Sequence, residues 1–387
     1  MFARAIKLPK SHSFFLFGPR GTGKTLLLKK RYASNTLYVD LLDLENETRY
    51  QLDPESLYGE ISALPQAIRT VIIDEIQKAP KLLDVVHRKI EEGKLRFILT
   101  GSSARKLKRG GANLLAGRAF VFNLYPLTVL EIGEKFKLSQ ALSFGTLPSV
   151  LNFKSDLERR RYLKAYAHTY LKEEVWGEQL IRKIEPFRRF LPVAAQCHGQ
   201  PINFSKIARD VGVDDSTVRS YYSILEDTLI GFFLPAYAGS ERKQLKMTPK
   251  FYLFDNGVKR ALEGVVDYDL VGGSFEYGVQ FEQLIIAEIT RRLAYLEQSS
   301  NFFYLATEGG AEVDLVISRG RKVTSLIEIK SGKRVVSADL RHLKSLQNKF
   351  NNVESFCLYD GTTAFVEEGI RVLPWREGIA EIVKPVG

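Results

Sequence analysis

A chain of 387 residues with 45% hydrophobic and 26% charged residues has apolar surface for about two to three domains, which excludes a disordered or fibrous class. Its net charge of +11 favours a polyanionic partner such as nucleic acid, although basic residues spread along every segment give the same total without a binding patch. Cys197 and Cys357 are too few and too far apart for a metal knuckle or a disulfide framework, so a reducing cytoplasm is the expected compartment.

The N-terminus lacks a secretory succession, because Phe14 to Phe17 make too short an apolar run. No stretch reaches the roughly 18 apolar residues that span a bilayer, so a soluble protein with no membrane partner is expected.

Over residues 1–126, short apolar runs alternate with helical patterns, the signature of an α/β parallel sheet with helices on both faces. The predicted strands are 13–17, 37–41, 70–73, 96–100 and 119–124, and Leu82, Val85, Val86, Lys89 and Ile90 share one helical face between the third and fourth. Residues 127–195 turn helical and charged, with Leu157, Tyr162, Leu163, Tyr166 and Tyr170 at helical spacing, and are expected to form a lid or linker.

The first strand runs into Gly18-Pro19-Arg20-Gly21-Thr22-Gly23-Lys24-Thr25, the G-x-x-x-x-G-K-T pattern between a strand and a helix start. Such a loop wraps its backbone round phosphates, aims the helix N-terminus at them, extends Lys24 to the β and γ oxygens and offers Thr25 to Mg²⁺. "TVIIDE" ends a strand in Asp74, which can hold the magnesium shell, and Glu75, which can act on the attacking water. A solvated turn is the bland alternative. At the end of "LRFILTGSS", Thr100 or Ser102 is placed beside the phosphates, unless these hydroxyls simply cap a helix. Arg118 precedes the fifth strand and is either a charge-neutralising arginine for the γ-phosphate, in its own subunit or a neighbour's, or an ordinary surface residue.

These stretches, with "LYPLTVLEI", "GTLPSVL" and "YAHTYLKEEV", resemble a bacterial and archaeal family of AAA-type ATPases that carry a C-terminal region with a restriction-nuclease-like end. The resemblance implies an AAA fold, ATP and Mg²⁺, and leaves the biological role open.

Residues 196–250 show helix-turn-helix spacing: Ile207 and Ala208 on a first helix, a turn at Gly212, a second helix opened by Asp214, Asp215 or Ser216, and Val218, Tyr222 and Leu225 on its buried side. "LIGFFLPAY" then offers a wing. Thr217, Arg219 and Ser220 are expected to face outward toward phosphates or base edges, helped by Arg242, Lys243, Lys246 and Lys250. Winged helices also serve as lids and protein-docking units, and Asp214 and Asp215 would repel a phosphate backbone.

Residues 251–387 return to mixed helix and strand. "EVDLVI" sets Asp314 in an apolar strand, and the period of two in "SLIEIK" puts Glu328 and Lys330 on one face and Ile327 and Ile329 on the other. Glu282 lies on an upstream helix. Glu282, Asp314 and Glu328 could hold one or two Mg²⁺ ions, with Lys330 at the attacking water or the phosphate. The order helix-Glu, strand-Asp, strand-Glu-x-Lys resembles the PD-(D/E)xK nuclease core, although Val313 stands where that family's name has proline. Such a fold does not by itself imply cutting.

Together these features predict an ATP-hydrolysing protein whose nucleotide state positions a winged helix and a restriction-endonuclease-like α/β domain on DNA, with homo-oligomer formation left open. The alternative is an ATP-dependent switch or scaffold for a protein partner, in which the nuclease fold is inactive.

Overall fold

The computed structural model describes residues 2–103, 107, 115, 117–170, 184–238, 244 and 247–384. Strands β1 (Ser13–Phe17), β2 (Thr36–Asp40), β3 (Thr70–Asp74), β4 (Arg96–Gly101) and β5 (Ala119–Asn123) form a parallel sheet in the order β2-β3-β4-β1-β5. Every predicted strand is there, with its ends shifted by a residue at most.

Successive side chains of a strand alternate between faces. Phe15, Phe17, Val71, Ile73, Phe97 and Leu99 therefore enter a core closed by α2 (Leu44–Leu52), α3 (Glu55–Ser62) and α4 (Leu82–Glu91). Phe14, Leu16, Ile72 and Ile98 enter the opposite core, against Leu28 of α1 (Lys24–Arg31) and Tyr295 from the C-terminal region. Each such fully buried side chain contributes about 1.5–3 kcal/mol of transfer free energy. Lys89 is buried on α4, where its ammonium donates to Ser62 Oγ at 2.8 Å and to Glu92 at 3.0 Å.

The next unit runs through α5 (Val129–Ile132), α6 (Leu138–Phe144), α7 (Pro148–Asn152), α8 (Asp156–Ala165) and α9 (Ile184–Gln196). It continues into α10 (Phe204–Val211), α11 (Asp215–Asp227), the antiparallel hairpin of β6 (Gly231–Leu234) and β7 (Lys250–Leu253), and α12 (Asn256–Glu263). One core joins Phe144, Leu163, Phe190, Ile207, Val218, Tyr222, Leu253 and Val258, so the helical segment and the helix-turn-helix share their interior. The hairpin pairing passes through position 250, because β7 begins there.

Leu163 and Tyr166 are buried and Tyr162 packs against them, as the helical spacing suggests, but Leu157 is 56% exposed on the outer face of α8. The side chain of Tyr170 and residues Arg242, Lys243 and Lys246 lie outside the described residues. Gly212 turns in the left-handed region at φ 76°, and Asp214 caps α11, accepting from the Thr217 N–H at 2.8 Å.

The C-terminal part is a six-stranded mixed sheet in the order β12-β13-β11-β10-β9-β8, preceded by the long helix α13 (Phe275–Tyr295). Its strands are β8 (Asn301–Ala306), β9 (Glu312–Arg319), β10 (Lys322–Lys330), β11 (Glu354–Tyr359), β12 (Phe365–Glu367) and β13 (Ile370–Pro374). Ile327 and Ile329 pack toward α13 and α15 (Trp375–Ile382), whereas Leu326 and Cys357 pack toward α14 (Arg341–Gln347). No helix among the described residues is long and apolar enough to cross a membrane.

Candidate functional site

In a parallel sheet every strand delivers its carboxyl end to one edge, and the loops there share a crevice. Gly18 leaves β1 so close to its neighbour that a Cβ would lie 2.3 Å from the Leu124 carbonyl oxygen. Gly23 takes φ 91° to turn the loop into α1. Lys24 is buried, and its ammonium bends back to the Gly18 carbonyl at 2.7 Å and the Pro19 carbonyl at 3.4 Å.

Thr25 Oγ1 donates to Asp74 Oδ2 at 2.7 Å, so the hydroxyl from the loop and the carboxylate from β3 meet across the crevice. Asp74 also accepts from the Tyr38 and Thr100 hydroxyls, and burial followed by the Asp74 hydrogen bond and charge raises the Tyr38 phenol. Two hard oxygen donors at this distance fit Mg²⁺. Glu75 adopts the left-handed conformation at φ 60°, uncommon for a residue with a side chain, and its carboxylate accepts from Gln77 Nε2 at 2.5 Å.

Thr100 and Ser102 separate here. The Thr100 hydroxyl donates to Asp74 and accepts from the Glu75 N–H at 3.1 Å, while Ser102 receives Gln77 Nε2 at 3.3 Å. Thr100 thus orients the acidic pair, and Ser102 reaches it through Gln77.

The loop is held from two sides. Tyr166 donates to the Arg20 carbonyl at 2.8 Å, and the Tyr162 hydroxyl would lie 3.1 Å from a Cβ at Gly21, so α8 and the turn after it close over the loop. On the other side Arg4, whose side chain is 6% exposed, donates to the Thr22 carbonyl at 2.8 Å, the Tyr125 carbonyl at 2.6 Å, Glu131 at 2.9 Å and the Tyr295 hydroxyl at 2.9 Å. A cavity of about 420 Å³ opens beside Thr22 and Gly23, walled by Phe2, Leu27, Leu127 and Pro148. Sequence reasoning missed Arg4, Tyr38 and Gln77; only Gln77, two positions after Glu75, stood close to a recognisable motif.

Arg118 requires a correction. Ala119 pairs with Ser13 in parallel register, so Arg118 sits at the amino edge of the sheet, where it forms an ion pair with Glu91 at the end of α4. The phosphate loop leaves the opposite edge, five strand residues away, or about 16 Å at the rise of a strand. Arg118 cannot serve the phosphate site of its own chain from there.

In the C-terminal part, Asp314 lies one residue beyond the Leu315–Ile327 pair and accepts from the Ile329 N–H at 2.7 Å. Lys330 pairs with Glu328 at 2.7 Å, and Glu282 on α13 accepts from the Tyr252 hydroxyl at 2.5 Å. Burial, reinforced by Asp314, pushes Glu282 up to about 7 and Glu328 up to about 8; burial also raises Asp314. The three carboxyls therefore sense one another. Among the described residues, however, no group of three or more His, Cys, Asp or Glu side chains is gathered to hold a metal ion, so the expected trio is not an assembled ligand set. Lys250, expected to help contact phosphates, is buried instead, 2.5 Å from Glu312.

On α11, Arg219 and Ser220 are exposed, but the Thr217 hydroxyl donates to Asp214 at 2.8 Å and Arg219 lies over the Phe204 ring at 3.9 Å. The outward face of this helix is thus less available to phosphates than expected.

Comparison with known proteins divides the chain in the same way. Residues 10–133 match the model of an AAA domain, residues 135–269 a domain of unknown function (DUF8612) and residues 277–377 a second domain of unknown function (DUF4143). An uncharacterized protein of Mycobacterium tuberculosis is 26% identical over 335 residues, covering 84% of this chain and 74% of the relative. An uncharacterized protein of Methanocaldococcus jannaschii is 23% identical over 430 residues, covering 96% and 85%. A solved structure of the Aeropyrum pernix ORC1 protein in complex with DNA aligns over 67% of this chain and 87% of that one, with 17% identity and a TM-score of 0.27, too low to bear on fold or function. The AAA-domain match falls on the parallel sheet, the phosphate loop and the Asp74–Glu75 pair, and it supports an AAA-type, P-loop ATP-binding domain over residues 10–133.

Proposed function

We propose that this protein binds and hydrolyses ATP with Mg²⁺ and uses the nucleotide state to control DNA binding or processing by its C-terminal regions. The observation that carries the first half is the Thr25–Asp74 hydrogen bond at 2.7 Å beside the buried Lys24. Backbone N–H groups at the start of α1 and the Lys24 ammonium face the phosphates, and the cavity beside Gly23 takes the base and sugar. Thr25 and Asp74 would hold Mg²⁺, which would supply charge neutralisation to the phosphates. Glu75, steadied by Gln77, orients the attacking water and accepts its proton.

Glu75→Gln keeps the shape of the side chain and removes the base, so ATP binding should persist while turnover is lost. Unchanged turnover would sink the assignment.

The DNA half rests on the net charge of +11, on the helix-turn-helix with its hairpin, which we read as a winged helix, and on the Glu282, Asp314, Glu328 and Lys330 constellation, which we read as nuclease-like. Glu328 Oε2 is buried with no hydrogen-bond partner, which fits a cation-binding carboxylate. Cleavage of linear, branched and supercoiled DNA with Mg²⁺ or Mn²⁺, compared between wild type and Lys330→Ala, tests the nuclease reading; a salt series of DNA binding tests phosphate contact.

A protein partner is the second reading. It is favoured by the first turn of α11, where Asp214 and Asp215 place negative charge on the face that would meet a phosphate backbone.

A further inference from the structure

The Thr22–Gly23 peptide joins the phosphate loop to α1, and its own sequence does not decide which way it faces. Glycine adopts φ of either sign at little cost, so the peptide before Gly23 can turn its carbonyl or its N–H to a given side. Gly23 takes φ 91° here, and the Thr22 carbonyl accepts from Arg4 Nη1 at 2.8 Å. No peptide bond among the described residues is cis, so the Gly23 N–H points away from Arg4.

Arg4 is itself fixed. Its Nε donates to Glu131 at 2.9 Å, and its Nη2 donates to the Tyr125 carbonyl at 2.6 Å and to the Tyr295 hydroxyl at 2.9 Å. Glu131 is held in turn, accepting from the Ala5 N–H at 2.7 Å and the Thr128 N–H at 2.8 Å. A guanidinium is a rigid planar fork, so bonds on all its nitrogens leave it one orientation.

We propose that Arg4 is a positioning residue for nucleotide binding: it holds the Thr22–Gly23 peptide so that the Gly23 N–H is presented to phosphate, and it ties that orientation to the seating of Tyr295 at the end of α13. Phosphate then meets a preset donor instead of having to turn the peptide, which raises affinity. Because the bonds of Nη1 and Nη2 share one planar group, the loop and the C-terminal region set its orientation together. By linkage, whatever unseats Tyr295 weakens ATP binding, and bound ATP resists the unseating by the same factor. The proposal rests on the ATP-binding reading of the loop.

The test measures the dissociation constant of a non-hydrolysable ATP analogue with Mg²⁺ by isothermal titration calorimetry of the full chain, in wild type, Arg4→Lys, Tyr295→Phe and the double variant. Lysine keeps a positive charge opposite Glu131 but is a point donor that cannot span the same directions. Tyr295→Phe removes the hydroxyl and keeps the ring beside Tyr125, 5.8 Å between centres, in the core it shares with Leu28. Arg4→Lys should weaken binding about tenfold and Tyr295→Phe about threefold, the scale of a charge-assisted and of a shared hydrogen bond. Stoichiometry should stay unchanged, whereas a merely structural loss lowers it and leaves the affinity of the folded chains alone. The double variant should bind no more weakly than Arg4→Lys, because Tyr295 reaches the loop through Arg4.

An affinity equal to wild type in either single variant overturns the proposal. So does a double variant about thirtyfold weaker, the product of two separate effects. A wild type that binds no analogue overturns the ATP-binding reading and the proposal with it, an outcome distinct from wild-type binding that the variants fail to weaken. If circular dichroism shows Arg4→Lys unfolded, Tyr295→Phe decides alone, with threefold weaker binding expected and unchanged binding fatal.

Discussion

The Arg4 guanidinium donates to the Tyr295 hydroxyl at 2.9 Å, and the same guanidinium donates to the Thr22 carbonyl of the phosphate loop at 2.8 Å. Tyr295 closes α13, the helix that carries Glu282 thirteen residues earlier, about 20 Å along its axis. One side chain thus connects the loop expected to hold phosphates with the rod that positions a carboxylate of the C-terminal cluster. The Tyr295 hydroxyl also accepts from the Tyr125 N–H at 3.0 Å, so it satisfies donors on both sides of the junction.

Tyr295→Phe should therefore leave two buried donors short of an acceptor without altering the shape of the junction. The expected loss is about 1–3 kcal/mol of unfolding free energy, measured by urea titration of the full chain. A variant as stable as wild type would show that water or a rearranged Arg4 takes over the acceptor role.

Tyr38 makes a sharper probe of the metal shell, because its hydroxyl reaches Asp74 and Thr25, the two residues expected to hold the metal. Removing its hydroxyl in Tyr38→Phe leaves Asp74 held by Thr25 and Thr100 alone. The Mg²⁺ concentration for half-maximal ATP turnover should rise about fivefold, the equivalent of one lost hydrogen bond. An unchanged Mg²⁺ dependence would separate Tyr38 from metal placement.

Arg118→Ala should leave ATP turnover of dilute protein unaltered, since its guanidinium is tied to Glu91 at the edge opposite the phosphate loop. Turnover measured over a range of protein concentration checks this. A defect that appears only as concentration rises would place Arg118 at a neighbouring copy's site instead.

The parts of the site that could be read from sequence are those in which chemistry and chain order coincide. Gly18 to Thr25 is one contiguous loop, and Asp74 and Glu75 end an apolar strand, so both were visible without the fold. Tyr38 and Arg4 were not, because a neighbouring strand and the N-terminal segment bring them in across the sheet. Arg118 shows the opposite error. In a parallel sheet a residue that precedes its strand lies at the amino edge, opposite the loops that follow the strands, and the parallel pairing of Ser13 with Ala119 places Arg118 there. Lys250 failed for a further reason: a lysine beside a basic run reads as solvated, and its burial becomes affordable only through Glu282, Glu312 and Asp314, which lie far along the chain.

Glu288 supplies a pH test away from both sites. It lies buried on α13, with Oε2 accepting from the Val129 N–H at 2.8 Å and Oε1 without a hydrogen-bond partner. Burial lifts its carboxyl to about 7, helped by Glu131 and opposed by the Val129 hydrogen bond, Arg291 and Arg292. The folded chain therefore keeps a proton that the unfolded chain has lost, starting near the ordinary value of 4.5. By linkage the stability it contributes is full below 4.5 and is lost as pH rises through about 7, on the order of 3 kcal/mol in all. Unfolding free energy measured from pH 5 to pH 8 should fall less steeply in Glu288→Gln than in wild type, because the amide keeps an acceptor for Val129 and carries no charge. Parallel pH profiles for the two proteins would mean that Glu288 is already ionised in the fold, with Arg291 and Arg292 outweighing its burial.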